Sequence, residues 1–230
     1  MTVLLTRGID LSIAANLALT GMVTALVNRA APGVPIIAII ALAILVGAAL
    51  GAFNAALIAG FGIPPIVVTL GTLATYRGMI FVIAKGAWLT SKDMSPAFLA
   101  VPKSEFLGLS SLVWIAAGVA FAAWVYLNHT SAGRALYAVG GNPVAARYCG
   151  VDLASQQGVV YTLSGAVAGL CGHLWVSRYG IAYSDIAIGY ELTVVAAVVP
   201  YRAHRLDAAQ YRDGLGAGGG DGRHSRRRPR

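Results

Sequence analysis

The sequence predicts an all-α fold, a polytopic transmembrane helical bundle with about five complete spans and a further one that begins but is not completed. Of the 230 residues, 57% are hydrophobic and only 11% are charged, whereas soluble domains carry about 25% charged residues. Residues 30–76 include no charged side chain. That stretch is long enough for two membrane crossings of about 20 residues each.

The first predicted span is residues 11–28, which carry no charge. Polar side chains recur at every fourth position along it, at Ser12, Asn16, Thr20 and Thr24. This spacing places them on one face of a helix. The face either packs against neighbouring helices that satisfy its polar groups, or lines a central polar pathway. The second interpretation makes Asn16 a candidate pathway residue.

Residues 35–59 and 66–84 are the next two predicted spans. The segment Gly60–Pro65 separates them, because its two prolines lack the backbone N–H that a helix requires. Asn54 lies on the first of these spans, where a buried amide either links two helices by hydrogen bonding or serves the pathway.

The span 66–84 carries three further pathway candidates, Thr69, Thr72 and Arg77. A charge inside an apolar run is costly unless it is paired or hydrated, so Arg77 is a functional candidate. An alternative hypothesis ends or bends the helix near Thr75, which would let the guanidinium reach water or bond a carbonyl at a helix end.

Two more spans are predicted at residues 109–128 and 156–176, and a sixth apolar segment occupies residues 191–199. His173 lies near the far end of the 156–176 span, where packing with one hydrogen bond is favoured over a functional role. Two small-xxx-small patterns predict faces where helices approach closely: Gly47 with Gly51, and Gly165 with Gly169.

Between two uncharged segments lies a polar loop, residues 131–153. Gly133-Arg134 and Gly140–Pro143 are typical of turns. Asn142 is suited to cap the N-terminus of a short helix at 144–149, with Pro143 in its first position and Gly150 ending it. The loop is therefore predicted to present a two-turn helix outside the bilayer.

The residues also argue against several functions. The two cysteines, 149 and 171, and the four histidines do not have metal-ligand spacing, and no metal site is predicted. The chain lacks the Gly-Lys dipeptide of a phosphate-binding loop, and no cluster suited to catalysis lies at membrane depth, so we expect a protein that is not an enzyme.

Residues 1–199 form the predicted membrane domain, and residues 200–230 form an Arg/Gly-rich tail. The tail holds eight arginines and three aspartates with almost no hydrophobic period, a composition typical of disorder and also of a frameshift product. Without aromatic interleaving it is not expected to bind nucleic acid.

Four groups of motifs resemble the permease subunits of carbohydrate ATP-binding-cassette importers, in the branch that serves ribose, xylose, rhamnose and autoinducers. These are Thr6–Ser12, Gly62–Thr72 with Tyr76–Gly78, Gly133–Arg147 with Gly150–Asp152, and Leu163–Gly165 with Gly189–Val198. The sequence around residues 87–89, 170–179 and 191 is most similar to that of rhamnose permeases. Family members extend further at both ends, so the chain resembles the truncated middle of such a permease.

This resemblance implies a multi-pass protein of the bacterial inner membrane that imports a monosaccharide, with rhamnose or a related sugar expected. It implies as partners a second permease subunit, two ATPase subunits that bind the ATP, and a periplasmic sugar-binding protein. No cofactor is expected in the chain itself. The sequence leaves two points open. It does not show whether the two permease subunits are identical, and the distribution of charge alone does not decide the orientation of the chain in the membrane.

The resemblance also assigns the loop 131–153 to the cytoplasm, where it would couple the permease to the ATPase. The coupling candidates are Gly140, Gly141, Asn142, Ala146, Arg147 and Gly150. Two alternatives remain. An ion-coupled secondary transporter would need a carboxylate within a span, whereas Asp10, Asp152 and Glu191 lie at segment ends. The second alternative is that the chain is a nonfunctional permease fragment.

Overall fold

The computed structural model describes residues 2–6, 8–194 and 196, and this part of the chain is predominantly helical. Five helices are long and apolar enough to cross a membrane. They are α2 (Ile13–Ala30), α3 (Ile36–Ala55, continued by a π-helical turn at Ala56–Gly60), α4 (Pro65–Ala84), α6 (Ser111–His129) and α9 (Leu153–Tyr179). The predicted all-α class and five spans are confirmed. Of the sixth segment, residues 191–194 and 196 are described and are helical, and the tail lies outside the described residues.

Shorter elements fill the connections. The helices are α1 (Thr2–Leu5), α5 (Pro96–Ala100), α7 (Ser131–Gly141) and α8 (Pro143–Tyr148). Strand β1 (Leu89–Thr90) pairs antiparallel with β4 (Ile181–Ala182), and β2 (Glu105–Phe106) pairs antiparallel with β3 (Leu109–Ser110). Single 3-10 turns occupy Ser91–Asp93 and Val101–Lys103.

The predicted break between the second and third spans is confirmed. After the π-helical turn, Gly62 adopts a φ of +68°, a left-handed conformation that favours glycine. Pro65 then occupies the first turn of α4, where its missing N–H costs nothing.

The two predicted small-residue faces pack against each other, α3 against α9. A Cβ built on Gly165 would lie 2.3 Å from the carbonyl oxygen of Gly47 and 2.8 Å from the Cα of Gly51. A Cβ on Gly169 would lie 2.9 Å from the Cα of Gly47. Real Cβ atoms do not come so close to backbone, so the absence of side chains is what lets these two helices touch.

Helix α2 is the centre of the bundle and contacts α3, α4 and α9. Its contact with α9 is also glycine-based, since a Cβ on Gly21 would lie 2.9 Å from the carbonyl oxygen of Gly172. Helix α6 is the opposite case, because none of its residues is buried. Its apolar surface includes Val113, Phe121 and Trp124, and only α7 and the loop before α6 contact it extensively. A surface of this kind suits lipid.

The alternation of the spans fixes which connections share an end of the bundle. Helices α7 and α8 lie between the C-terminus of α6 and the N-terminus of α9, at what we term the α8 end. The segment with β1 and α5 lies between α4 and α6, at the opposite or α5 end, together with residues 180–189 that follow α9.

Two predicted turns are not observed as such. Of Gly140–Pro143, only Asn142 lies outside a helix, between α7 and α8. Gly133-Arg134 does not form a turn, because both residues belong to helix α7. Thr130 caps that helix by accepting a hydrogen bond from the Gly133 N–H at 3.0 Å. A Cβ on Gly133 would lie 2.3 Å from the carbonyl oxygen of Tyr126. The glycine is needed there for the close approach of α7 to the end of α6.

Candidate functional site

The short helix α8 has the caps that the sequence predicts. The Asn142 side-chain oxygen accepts hydrogen bonds from the backbone N–H groups of Val144 at 3.0 Å and Ala145 at 3.1 Å. Pro143 occupies the first turn. Gly150 has a φ of +80°, and its N–H donates to the carbonyl of Arg147 at 3.0 Å. Capping at both ends makes this six-residue helix a defined element although it is too short to be stable alone.

Helix α8 presents two different faces. Ala146 is only 4% exposed and faces the rest of the protein. On the opposite side, Val144 is 65% exposed and Tyr148 is 89% exposed. These two residues are four positions apart, so they stand side by side on one helix face. Exposed apolar groups of this kind, outside the spans, are typical of a surface that binds a protein.

Two neighbouring helices hold α8 in place. Leu136 and Val139 of α7 are buried, and Leu136 belongs to an apolar cluster with Val3 and Tyr161. Asp152 caps α9, since its carboxylate accepts hydrogen bonds from the two backbone N–H groups that follow Leu153. Only residues 149–151 separate the end of α8 from this cap, so α8 lies directly before the start of α9.

The predicted coupling residues divide into two groups. Gly140 and Ala146 face inward, and a Cβ on Gly140 would lie 2.4 Å from the carbonyl oxygen of Leu5. Gly141 has open space around it, and Arg147 is exposed. The sequence interpretation did not name Val144 and Tyr148, although their spacing on a capped two-turn helix was available as a signal.

The pathway candidates Asn16 and Asn54 are buried between helices in this structure. The Asn16 side-chain amide donates to the carbonyl oxygen of Gly47 at 3.1 Å. The Asn54 amide donates to the Ser12 hydroxyl at 2.8 Å, and that hydroxyl donates to the Asp10 carboxylate at 2.7 Å. These bonds tie α2 to α3 and to the segment before α2.

Helix α4 adds its polar residues to the same region. Thr69 is buried and its hydroxyl lies 3.4 Å from the carbonyl oxygen of Ile9, which it contacts as a donor. The Thr72 hydroxyl donates within its own helix, to the carbonyl of Val68 at 3.0 Å. Asp10 is buried beside this group. Burial raises the pKa of the Asp10 carboxyl, and the two hydrogen bonds from Ser12 partly offset that effect.

Arg77 is half-buried and bonds to the connection at the α5 end. Its Nη1 donates to the carbonyl oxygens of Ser184 at 2.6 Å and Ile186 at 2.7 Å. The hypothesis that the helix ends near Thr75 is wrong, because α4 continues to Ala84. The guanidinium does bond carbonyls, but they belong to the turn after β4, which lies more than 100 residues away in sequence.

Within the described residues, no three His, Cys, Asp or Glu side chains lie close enough to hold a metal ion. Both cysteines, 149 and 171, are unpaired and exposed. The two candidate regions are the exposed face of α8 with Val144 and Tyr148, and the polar layer around Asp10 and Asn54.

Five apolar helices joined by short structured connections define a multi-pass membrane protein. The family described as "Branched-chain amino acid transport system / permease component" matches residues 1–199, and the chain belongs to this family. The family is one of transport permeases and not of enzymes. The membership of this chain in the family, together with its five spans, confirms the predicted multi-pass location in the inner membrane.

Three curated relatives are named as permeases for different substrates. The chain is 36% identical over 201 residues to the ribose import permease protein RbsC of Escherichia coli (strain K12), covering 86% of this chain and 61% of the relative. It is 37% identical over 198 residues to the D-allose transport system permease protein AlsC of the same strain, covering 85% and 59%. It is 34% identical over 198 residues to the autoinducer 2 import system permease protein LsrC of Shigella flexneri, covering 86% and 56%.

The chain thus spans about three fifths of the length of the curated relatives it matches. No solved structure matches it.

Proposed function

We propose that the chain is the transmembrane permease subunit of an ATP-binding-cassette importer that carries a monosaccharide across the inner membrane. The observation that carries the proposal is helix α8, which is capped at both ends, anchored by α7 and α9, and exposes Val144 and Tyr148 outside the spans. The relatives named for ribose, allose and autoinducer 2 import support a sugar or sugar-like substrate. The proposal of rhamnose or a related sugar rests only on the sequence around residues 87–89, 170–179 and 191.

The partners follow from this role. The chain lacks a phosphate-binding loop, so ATP would be bound by two separate ATPase subunits. A second permease subunit would complete the membrane path, and a periplasmic sugar-binding protein would deliver the sugar. The α8 end then faces the cytoplasm and the α5 end faces the periplasm.

Helix α8 is suited to couple ATP-driven movement to the membrane. A short rigid helix transmits displacement only when its attachments are stiff. Here the apolar contacts of Leu136 and the Asp152 cap supply that stiffness. Closure of the ATPase dimer would move α8 as a body and tilt α9 with it, which is a rigid-body mechanism of alternating access.

Asn16, Asn54, Thr69, Thr72 and Arg77 remain the candidates for the pathway. In this structure Asn16 bonds to α3 and Asn54 bonds to Ser12 at the start of α2. Thr69 and Arg77 bond to carbonyls of connecting segments, whereas Thr72 bonds within its own helix. We propose that these candidates meet the sugar only in a state in which α2, α3 and α4 are further apart, and that the arrangement described here is the closed state of the path.

The test replaces the exposed face of α8 in the complete importer. We expect the double variant Val144→Ser, Tyr148→Ser to lose both co-purification of the ATPase and ATP-dependent uptake of labelled sugar. Tyr179→Ser is the matched control, because Tyr179 is an exposed aromatic residue near the opposite end of α9. Unchanged ATPase binding and uptake in the double variant would overturn the proposed docking surface.

The same assay separates the alternatives. Uptake measured with rhamnose, ribose and allose as competitors identifies the sugar. Uptake that needs an ion gradient and no ATPase would establish an ion-coupled secondary transporter instead. The absence of uptake for every sugar would favour a nonfunctional fragment.

A further inference from the structure

The α5 end of the bundle is closed by a small cap, which we define as residues 89–100 and 181–187. Strands β1 and β4 join its two parts. Two hydrogen bonds link Asn28, at the end of α2, to Ser95: the Asn28 amide donates to the Ser95 hydroxyl at 3.0 Å, and the Ser95 N–H donates to the Asn28 oxygen at 2.8 Å. The Ser177 hydroxyl of α9 donates to the carbonyl oxygen of Phe98. The cap is thus held by a few defined contacts.

Phe98 is the residue that the cap inserts into the bundle. It belongs to α5, a helix of only five residues, yet its side chain is fully buried. Its ring packs edge-on against the imidazole of His173, with ring centroids 4.7 Å apart and an interplanar angle of 81°. A large side chain on a short connecting helix therefore fills the space above a membrane-embedded histidine.

His173 has no hydrogen-bond partner within the described part of the chain. The side chain is 0% exposed, and both Nδ1 and Nε2 are buried without a partner. The sequence interpretation of one hydrogen bond is therefore wrong for this state. Buried polar groups are almost always bonded, because an unmade bond leaves the cost of desolvation uncompensated. A fully buried imidazole with two unused nitrogens indicates that a partner comes in another state.

We propose that His173 is a sugar-contacting residue of the translocation path, which Phe98 covers in the closed state and which the lifting of α5 exposes. This inference rests on the importer function proposed above for the chain. A neutral imidazole offers one donor and one acceptor, which matches the hydroxyl groups of a monosaccharide. His173 and the aromatic ring of Phe98 together resemble the lining of small-molecule sites, mostly apolar with a few placed polar groups.

The position of His173 agrees with this role. It lies on α9 near the α5 end, six residues before the helix ends at Tyr179. Under the proposed orientation the sugar arrives from that side. A residue at this depth lies directly against Phe98, so the lifting of α5 would uncover it. Its contact with the sugar would replace the bond that the closed state lacks.

The first experiment uses His173→Phe in the complete importer. The variant keeps an aromatic ring beside Phe98 and removes both unbonded nitrogens. We expect it to be at least as heat-stable as the parent protein and to lose at least tenfold in kcat/KM for uptake. His173→Gln, which keeps a donor and an acceptor, is expected to recover part of the loss. A purely structural histidine predicts that uptake follows stability, so full uptake by His173→Phe overturns the proposal.

The control variant is Thr162→Val. Thr162 also lies on α9, but its hydroxyl already bonds to the carbonyl oxygen of Gly158 at 2.8 Å. Removal of this hydroxyl is expected to leave kcat/KM for uptake within about twofold. An equal loss in Thr162→Val and His173→Phe would mean that any change of a polar side chain on α9 impairs transport, and it would overturn the specific role of His173.

The second experiment measures access to the site. His173→Cys is combined with serine at positions 149 and 171, and a membrane-impermeant thiol reagent is applied from the α5 side. We expect slow labelling without ATP and at least tenfold faster labelling during turnover. Continued protection while the importer works would overturn the proposal. If the parent protein imports no sugar, the proposed function fails and this inference fails with it; if the parent imports and only these variants disagree, the inference alone fails.

Discussion

Replacement of Gly165 by alanine is expected to weaken the contact between α3 and α9. The new methyl group would lie 2.3 Å from the Gly47 carbonyl oxygen and 2.8 Å from the Gly51 Cα, whereas ordinary contacts begin near about 3.5 Å. The helices must separate by about 1 Å locally, since both neighbours are backbone atoms that cannot rotate away. Overpacking of this kind typically costs about 1–3 kcal/mol of unfolding free energy.

The assay is equilibrium unfolding in mixed micelles with increasing denaturing detergent, followed by circular dichroism. Gly118→Ala is the matched control, because a Cβ on Gly118 in α6 meets nothing within 4 Å. That variant should be unchanged, or stabilised by up to about 1 kcal/mol through helix propensity. If Gly165→Ala is as stable as Gly118→Ala, the close packing of these helices is refuted.

A double variant checks the pairing. Gly47→Ala also introduces a methyl into this contact, since its Cβ would lie 2.3 Å from the carbonyl oxygen of Gly165. Helices already forced apart by one methyl accommodate the second more easily, so the combined loss should be smaller than the sum by at least about 0.5 kcal/mol. Simple additivity would show that the two glycines do not share one interface.

Three further predictions concern the polar residues. Asn142→Ala should destabilise α8 by about 1 kcal/mol and weaken ATPase binding, while Asn142→Asp keeps the cap and binds normally; equal binding by both variants would contradict the capping role. Arg77→Leu removes two charge-assisted hydrogen bonds, to the carbonyl oxygens of Ser184 and Ile186, each worth about 1.5–3 kcal/mol. The backbone amides of that turn should therefore exchange hydrogen at least about 100-fold faster. Unchanged exchange would contradict the anchoring of the turn by Arg77. Because the pKa of Asp10 is raised in the folded protein, this carboxyl ionises at lower pH in the unfolded chain, so stability should fall as pH rises above about 4. Asp10→Asn should flatten that part of the plot of melting temperature against pH. An unaltered plot would assign the pH dependence to another group.

Much of the fold could be predicted because membrane spans follow from local composition. Three signals each determine the structure of residues close to them in sequence: the lengths of the charge-free segments, the prolines after Gly60, and the caps of α8. Both glycine faces were visible for the same reason. Their pairing with each other was not visible, because the choice of partner depends on the three-dimensional path of the three connections that join α3, α4, α6 and α9.

The misinterpretations share a nonlocal cause. Gly133 was predicted to form a turn because its sequence neighbourhood allows one, but the structure uses it for the close approach to Tyr126. The carbonyls that Arg77 binds lie in a distant turn that no local pattern indicates. His173 was expected to have one bond because buried imidazoles normally do. In the structure distant parts of the chain, including Phe98, enclose it without giving either nitrogen a partner.

Helix α9 joins the two proposed sites mechanically. Its 27 residues form a rod about 40 Å long, with the Asp152 cap and α8 at one end and the cap contact of Ser177 near the other. The glycine contact with α3 lies near the middle, at Gly165. A rod held closely at its centre tilts, so displacement of α8 in one direction moves the His173 region in the opposite direction. Gly165→Ala should therefore impair more than stability: where the fold survives, ATPase binding should persist while ATP-dependent labelling at position 173 is lost. Labelling that remains fully coupled to ATP would show that the glycine contact is not the pivot.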